Sequence, residues 1–160
     1  MATIRDLMYL VGMWEGTGVA EYPTISQYNY REEFILASDA KNPVLHFQQR
    51  AWIVSTDTRN NEPISWESGF LIDRGDSLFE LICAHVSGRM EWYRGVAGLQ
   101  GAEGIRLPLE NVSIVNENRL LRSARIFHFG KDSISYEQLM TTTRVTQHLR
   151  HLTAELHRAG

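Results

Sequence analysis

Hydrophobic and polar residues alternate with a period of two through most of the chain, beginning at Gly12. This period places successive side chains on opposite faces, so the alternation predicts half-buried β-strands. Turn-forming residues recur between the runs at intervals of about 10 to 14 positions. Nine runs are predicted to be strands, namely MWEGTGVAEY, SQYNYREEFIL, PVLHFQQRAWIV, PISWESGFLID, SLFELICAHV, RMEWYRGVAGL, GIRLPLENVSIV, RLLRSARIFHF and SISYEQLMTTT.

Two terminal segments do not follow this pattern clearly. Thr3 to Val11 is predicted to be one short helix, because Thr3 is a suitable N-cap and one face carries Ile4, Leu7, Met8 and Val11. The last segment, VTQHLRHLTAELHR, has leucines at nearly helical spacing but also permits strand alternation. Residue propensities favour a helix there. We predict a strand, because the first strand needs a partner if the sheet closes.

So many short strands in succession predict an antiparallel meander, which must deal with two unpaired edges. Closing the sheet into a barrel removes both edges. A barrel of nine or ten strands is wider than its side chains fill easily, so it tends to hold a ligand. We therefore predict a single all-β domain over residues 1–160. Its fold would be an antiparallel up-and-down barrel of about ten strands, similar to lipocalins and fatty-acid-binding proteins, with a short N-terminal helix.

Glycine recurs on one face of the first predicted strand, at Gly12, Gly16 and Gly18, with Trp14 among them. Glycine weakens a strand, but it lets the strand bend sharply and lets another group approach the backbone closely. Two interpretations are equally open. The glycines either face a ligand or form a barrel corner that needs only curvature.

Charge and cysteine content exclude several classes of function. The formal net charge is −3, whereas non-specific nucleic-acid binding needs many Lys and Arg contacts. Cys83 is the one cysteine and lies in an apolar run, so we expect a small buried side chain rather than a disulfide or nucleophile. The N-terminus shows neither a signal peptide nor a membrane span, and we expect a cytoplasmic protein without membrane or nucleic-acid partners.

Histidine is the residue type with most candidate chemistry, although no histidine belongs to a standard catalytic motif. His148 and His151 would be neighbours on a helix but would lie on opposite faces of a strand. A paired zinc site would therefore need the helix and a third ligand. His46 is expected to be structural, and His85 and His128 to be exposed or bonded to backbone. No HExxH, GxSxG, P-loop or dinucleotide-binding pattern is present, and the acids Glu15, Glu32 and Glu33 form no evident acid–base pair.

The stretch GMWEGTG followed by EYPTI resembles the nitrobindin family, whose members carry a GxWxGxG motif and a YPTI-type turn. Gly12, Trp14, Gly16 and Gly18 fill the fixed positions of the motif, and Tyr22 to Ile25 fill the turn. The likeness covers nearly the whole chain, continuing through YNYREEF, PVLHFQQRAW, ESGFL and HLTAEL.

The resemblance implies a barrel that binds ferric haem b through one histidine near the C-terminus. It also implies binding of nitric oxide and isomerisation of peroxynitrite to nitrate. The family's ligand lies in an HLxAxL tail, which here selects His151 as iron ligand and catalytic residue. A TQHL match would instead select His148, our second choice.

Further positions follow from the same resemblance. Arg125 matches a basic position that faces the haem propionates in relatives, the alternative being an exposed strand charge. Thr24 and Ile25 would lie against the porphyrin edge, the alternative being simple turn packing. Trp66 stands where relatives often have histidine, so pocket polarity would differ if that position lines the pocket.

Three functions follow as expectations: a haem enzyme acting on peroxynitrite, a non-catalytic nitric-oxide carrier or sensor, and a lipocalin-like barrel that binds an apolar ligand without iron. A homodimer is a further possibility. Histidine can bind iron through one ring nitrogen while the other needs a hydrogen-bond acceptor to fix the ring. That acceptor has no signature in the sequence.

Overall fold

The chain forms one closed antiparallel barrel in a computed structural model that describes residues 1–101 and 104–160. Within these residues the strands are β1 (Gly12–Ala20), β2 (Tyr28–Ala37), β3 (Val44–Val54), β4 (Pro63–Gly75), β5 (Leu78–His85), β6 (Met90–Val96), β7 (Gly98–Leu99), β8 (Ile105–Val115), β9 (Leu120–Phe129), β10 (Ser133–Thr142) and β11 (Leu149–Arg158).

Closure comes from two pairings that join distant parts of the chain. Strand β11 pairs with β1, with Gly16 opposite Leu156, and β6 pairs with β8. Ten long strands therefore form the ring, and the two-residue β7 is attached to β8. The predicted barrel is confirmed, and the ambiguous C-terminal segment is a strand because β1 needs this partner.

The predicted N-terminal helix is present as a 3-10 helix over Ile4–Leu10. The Asp6 carboxylate accepts a hydrogen bond from the Thr3 backbone N–H at 2.8 Å and so caps its first turn. Ile4, Leu7 and Leu10 are buried among the side chains at one end of the barrel. No helix within the described ranges is long and apolar enough to cross a lipid bilayer.

The glycine-rich face of β1 points into the barrel. Trp14 is fully buried, and its indole N–H donates to the Leu10 carbonyl at 2.8 Å. A β-carbon on Gly18 would lie 2.3 Å from the Tyr30 ring, and one on Gly16 would meet the Glu155 carbonyl oxygen of β11. The missing side chains therefore make room for a tyrosine and for a close neighbouring strand.

The barrel interior divides into two parts. The end that carries the helix, called the closed end here, is filled by apolar side chains such as Leu36, Leu45, Phe79 and Leu156. The opposite end, called the open end, contains several buried polar side chains, namely Glu32, Gln49, Glu67, Glu91, Ser123, Arg125, Gln138 and His151. Candidate chemistry is therefore concentrated at the open end.

Candidate functional site

His151 lies in the wall of a cavity at the open end and is only 2% exposed. Its Nδ1 is 2.7 Å from the Leu149 carbonyl oxygen, which can only accept a hydrogen bond. Nδ1 therefore carries a proton, and in the neutral ring Nε2 keeps its lone pair free. The Tyr22 ring packs at 61° to the imidazole with 5.3 Å between ring centres. The orientation of the histidine is thus fixed by backbone and by an aromatic neighbour.

This opening, called the mouth cavity, has a volume of about 370 Å³, within the range of small-molecule and cofactor sites. Leu120, Met140 and Leu152 contribute apolar surface. Three arginines, Arg89, Arg119 and Arg144, line the same cavity. An apolar wall combined with cationic groups suits a flat apolar molecule that carries carboxylates.

His148 does not line either cavity at the open end. Its Nδ1 lies 3.0 Å from the Thr141 hydroxyl, and its Nε2 is buried without a hydrogen-bond partner in the part of the chain that the structure describes. Burial and the nearby Arg122 lower the pKa of His148. The geometry therefore favours His151 over His148 as a ligand.

Thr24 and Ile25 occupy the turn between β1 and β2. Thr24 is exposed and lines the mouth cavity, whereas Ile25 is 56% exposed and lies outside its lining. The Ile25 N–H donates to the Tyr22 carbonyl at 3.2 Å and closes the turn. Their predicted contact with the porphyrin edge stays a prediction.

A second space, called the inner chamber, continues from the mouth cavity into the barrel. It has a volume of about 340 Å³ and shares Tyr22, Gln138 and Leu152 with the mouth cavity. Trp66 lines it and is 45% exposed, with the Arg50 guanidinium 4.4 Å above its ring. The Trp66 residue therefore borders the chamber, while its exposed ring stacks against a cation.

Arg125 lies in the wall of the inner chamber and is 6% exposed, so the alternative of an exposed strand charge is wrong. Its two terminal nitrogens lie 2.6 and 3.0 Å from the Glu67 oxygens, and one is 3.3 Å from Glu91. The Arg125 side chain points inward from strand β9 and forms ion pairs with two carboxylates. Both terminal nitrogens of Arg125 already bind protein carboxylates. The contact of Arg125 with haem propionates stays a prediction.

His85 belongs to the same cluster, contrary to the expectation that it is exposed or bonded to backbone. Its Nε2 contacts the carboxylates of Glu91 and Glu67, the latter at 3.1 Å, and Arg89 lies 3.2 Å from Glu91. Burial alone would raise the pKa of both glutamates, but Arg125 together with His85, and with Arg89 at Glu91, outweighs burial and lowers both pKa values. Both carboxylates are therefore ionised and compensated by cations.

Glu67, Cys83, His85 and Glu91 resemble a set of metal ligands, because their ligating atoms lie within 4.8 Å of one another. However, the Arg125 guanidinium already provides the positive charge among them. Burial raises the pKa of Cys83 to about 12, so its thiol keeps its proton, whereas a metal requires the thiolate. The cluster is an ion-pair network, and Cys83 is the buried small side chain that the sequence predicts.

Glu32 has no evident acid–base partner in the sequence, and in the fold it belongs to a buried hydrogen-bonded chain. The Tyr136 hydroxyl donates to Glu32 Oε1, and the hydroxyl oxygens of Tyr136 and Tyr30 are 2.9 Å apart. Burial raises the pKa of Glu32 to about 8, although Tyr136 and Gln49 offset part of the shift. Glu32 is therefore an uncharged acid at neutral pH. The sequence contains only one signal for this contact, the inward parity of Glu32 beside Tyr30 and Phe34.

The mouth cavity fits a haem group by its own chemistry. Iron binding by histidine uses one ring nitrogen while the other donates to an acceptor, and the Leu149 carbonyl is such an acceptor for His151 Nδ1. The surrounding apolar side chains suit the macrocycle, and the arginines suit its carboxylates.

Comparison with known proteins gives relatives over the whole chain. A "Peroxynitrite isomerase 1" from Mycolicibacterium paratuberculosis is 31% identical over 159 residues, which is 97% of this chain and 94% of the relative. A protein from Arabidopsis thaliana named "Peroxynitrite isomerase Rv2717c" is 30% identical over 140 residues, covering 88% and 80%. A "Ferric nitrobindin-like protein" from Corynebacterium efficiens is 35% identical over 89 residues, which is 56% of this chain but only 38% of that relative.

Structural comparison agrees with these relatives. The crystal structure of Rv2717c from M. tuberculosis matches with a TM-score of 0.84 and 31% identity, covering 98% of this chain and 97% of the other. The profile of the THAP4-like, heme-binding beta-barrel domain matches residues 3–158. The chain therefore belongs to this family of haem-binding barrels, as the resemblance to nitrobindins predicts, and haem is its cofactor.

Proposed function

We propose that this protein holds ferric haem b in the mouth cavity through His151 Nε2 and isomerises peroxynitrite to nitrate there. The observation that carries the proposal is the Nδ1 contact of His151 with Leu149, which leaves Nε2 free in the cavity wall. Two relatives that align over most of the chain are named peroxynitrite isomerases. Nitric oxide would be a second ligand of the same site.

Bound ferric haem supplies an iron site at which peroxynitrite can be rearranged to nitrate. The protein's part is to fix the imidazole and to confine the reactants. His151 is held by the Leu149 carbonyl and the Tyr22 ring, so it does not need to reorganise on binding. Leu120, Met140 and Leu152 would restrict the access of water to a bound macrocycle.

We propose Arg144 as the residue that pairs with the haem carboxylates. It lines the mouth cavity, is exposed, and has no ion-pair partner within residues 1–101 and 104–160. Arg125, in contrast, is already bound to Glu67 and Glu91. Arg144→Ala should weaken haem binding several-fold, whereas Arg5→Ala, an exposed arginine on the helix of the closed end, should leave it unchanged.

The ligand assignment is tested by titrating the protein with ferric haem and recording the Soret band. His151→Ala should lose the shifted Soret band of the histidine complex, and His148→Ala should keep it. Retention in His151→Ala with loss in His148→Ala would overturn the assignment.

The enzymatic part is tested separately on the haem-loaded protein. Stopped-flow decay of peroxynitrite should be faster, and the nitrate yield higher, than with the same concentration of free haemin. Equal rates and yields would leave a haem protein that carries or senses nitric oxide. The buried polar side chains of the inner chamber disfavour the remaining alternative, an apolar ligand bound without iron.

We also propose that the protein forms a homodimer through the outer face of β4 to β6. Phe70 lies directly opposite Ile82, both are more than 40% exposed, and Met90 extends this apolar area. An exposed apolar surface of this kind supports an isologous contact. Sedimentation velocity should give a dimer for the wild type and a monomer for Ile82→Glu.

A further inference from the structure

Two residues that line the inner chamber each have one buried polar atom without a hydrogen-bond partner among the described residues. The two atoms are Oε2 of Glu32 and Nε of Arg125. Both residues are more than nine-tenths buried. Buried polar atoms in folded proteins are nearly always hydrogen-bonded, so two such atoms in one cavity indicate a missing ligand or water.

Both atoms can act as hydrogen-bond donors. Arg125 Nε carries a hydrogen under all ordinary conditions. Glu32 Oε1 already accepts from the Tyr136 hydroxyl, which leaves Oε2 to carry the acid proton when the carboxyl is neutral. Two donors in one small chamber are complementary to a ligand with several acceptor oxygens.

We propose that the inner chamber binds a small oxyanion of the size of nitrite or nitrate between Glu32 and Arg125, and that ionisation of Glu32 releases it. The proposal goes beyond the proposed function, because this site is made only of protein groups and needs no haem.

The charges around the chamber support an anion rather than a cation. Glu67 and Glu91 pair with Arg125 and Arg89, and Glu117 pairs with Arg119, so every other carboxylate that faces the chamber has a cationic partner while Glu32 is protonated. Once Glu32 ionises, an added anion would face an uncompensated negative charge at low dielectric.

Glu32 is also the chamber acid that titrates near neutral pH. Glu67 and Glu91 have lowered pKa values and stay ionised, while burial raises the pKa of Tyr22 to about 12 and also raises that of Tyr28, Tyr30 and Tyr136. The other charged or titratable groups that line the chamber are His85, Arg89, Glu117, Arg119 and Arg125.

The direct test is a nitrate titration of the haem-free, ¹⁵N-labelled full chain, followed by nuclear magnetic resonance. Nitrate should shift the Arg125 Nε–H signal at pH 6.5. The pKa of Glu32 is about 8, so the fraction of protein with protonated Glu32 is about tenfold lower at pH 9 than at pH 6.5. The apparent affinity for nitrate should therefore be about tenfold lower at pH 9. Nitrite serves as a second probe with the same expected pH dependence.

Two variants separate this site from general charge effects. Glu32→Gln is uncharged at both pH values, so nitrate affinity should become the same at pH 6.5 and pH 9. Glu110→Gln removes an exposed carboxylate on β8 and should retain the wild-type pH dependence. Both variants keep side-chain size.

Three results would overturn the proposal. The first is no shift of the Arg125 signal, which would leave water as the occupant of the chamber. The other two are equal nitrate affinity of the wild type at both pH values, and an unchanged pH dependence in Glu32→Gln. None of these results affects the Soret titration of His151, so failure of the anion site and failure of haem ligation are distinguishable.

Discussion

The closed and open ends of the barrel are built from the same strands but differ in the side chains that point inward. At the closed end Trp14, Leu45 and Phe79 are completely buried and form one apolar core with the N-terminal helix. At the open end the inward positions include Glu32 and Arg125, and the interior contains a chamber. The barrel thus has one end that stabilises the fold and another that carries chemistry.

The difference between the two ends shows how one strand can contribute both to the apolar core and to the polar chamber. Strand β2 places Phe34 and Leu36 in the apolar core and Tyr30 and Glu32 at the chamber, all with the same inward parity. Apolar burial provides stability without specific partners. Buried polar groups need specific partners, and at the open end these come from other strands.

The largest expected effect is on the closed end, where Trp14→Ala should reduce the free energy of unfolding by about 3–5 kcal/mol. The variant leaves a cavity in the core and removes the hydrogen bond to the Leu10 carbonyl. Urea denaturation followed by circular dichroism measures the loss.

The neighbouring residue on the outer face, Met13, provides a matched control, because Met13→Ala should change the free energy of unfolding by less than about 1 kcal/mol. Haem affinity of the folded Trp14 variant should remain unchanged. A large loss of haem affinity would mean that the two ends are not independent.

Arg125→Met should have the next largest effect, a loss of about 3 kcal/mol at pH 7, because it leaves the carboxylates of Glu67 and Glu91 buried without their main cation. In the wild type both glutamates have lowered pKa values, so their stabilising contribution is present above the ordinary pKa of 4.5 and is lost as pH falls.

The difference between the wild type and Arg125→Met should therefore shrink below about pH 4.5. Denaturant unfolding curves at pH 7 and pH 4 test this expectation. A constant difference across that interval would show that packing of the arginine stem, rather than charge, is what the variant loses.

Glu32→Gln should have a smaller effect that depends on pH in the opposite sense. The pKa of Glu32 rises from 4.5 in the unfolded chain to about 8 in the fold, so the folded state binds an extra proton between these values. Wild-type stability should fall as pH rises through this window, by at most about 1.4 kcal/mol per pH unit.

Glu32→Gln cannot ionise and should show a flatter profile, so its stability relative to the wild type should increase by roughly 2–3 kcal/mol between pH 5.5 and pH 8. Thermal unfolding at pH 5.5 and pH 8 provides the measurement. Parallel profiles for the two proteins would show that Glu32 is ionised throughout, against its burial.

The strands and their closure could be predicted because they depend on local alternation and on a general need to remove sheet edges. The C-terminal strand is the best example of a strand predicted from closure. Residue propensity favours a helix over Leu149–Arg158, but the segment forms a strand because it pairs with β1. Capping and the apolar face predict the N-terminal helix in its observed place, but they do not predict its 3-10 geometry.

The ion-pair network could not be predicted from the sequence. Arg125 and Glu67 are 58 positions apart and meet across the barrel, so their contact depends on strand register and closure together. The expectation for His85 is wrong for the same reason. Its position near a strand end suggested exposure, but the inward parity of β5 places it between Glu67 and Glu91.

The smallest expected effect belongs to Arg122, which lies three positions before Arg125 on the same strand. Its guanidinium lies 3.1 Å from both oxygens of Glu110, and both side chains are at least half exposed. Arg122→Met should cost less than about 1 kcal/mol at low salt, and this cost should disappear at high salt because the pair is solvated and screened. The same substitution at Arg125 should be insensitive to salt, since that cation is shielded from solvent. Unfolding curves of both variants at low and high sodium chloride give the comparison. Equal salt dependence would contradict the division between surface charge and interior charge on β9.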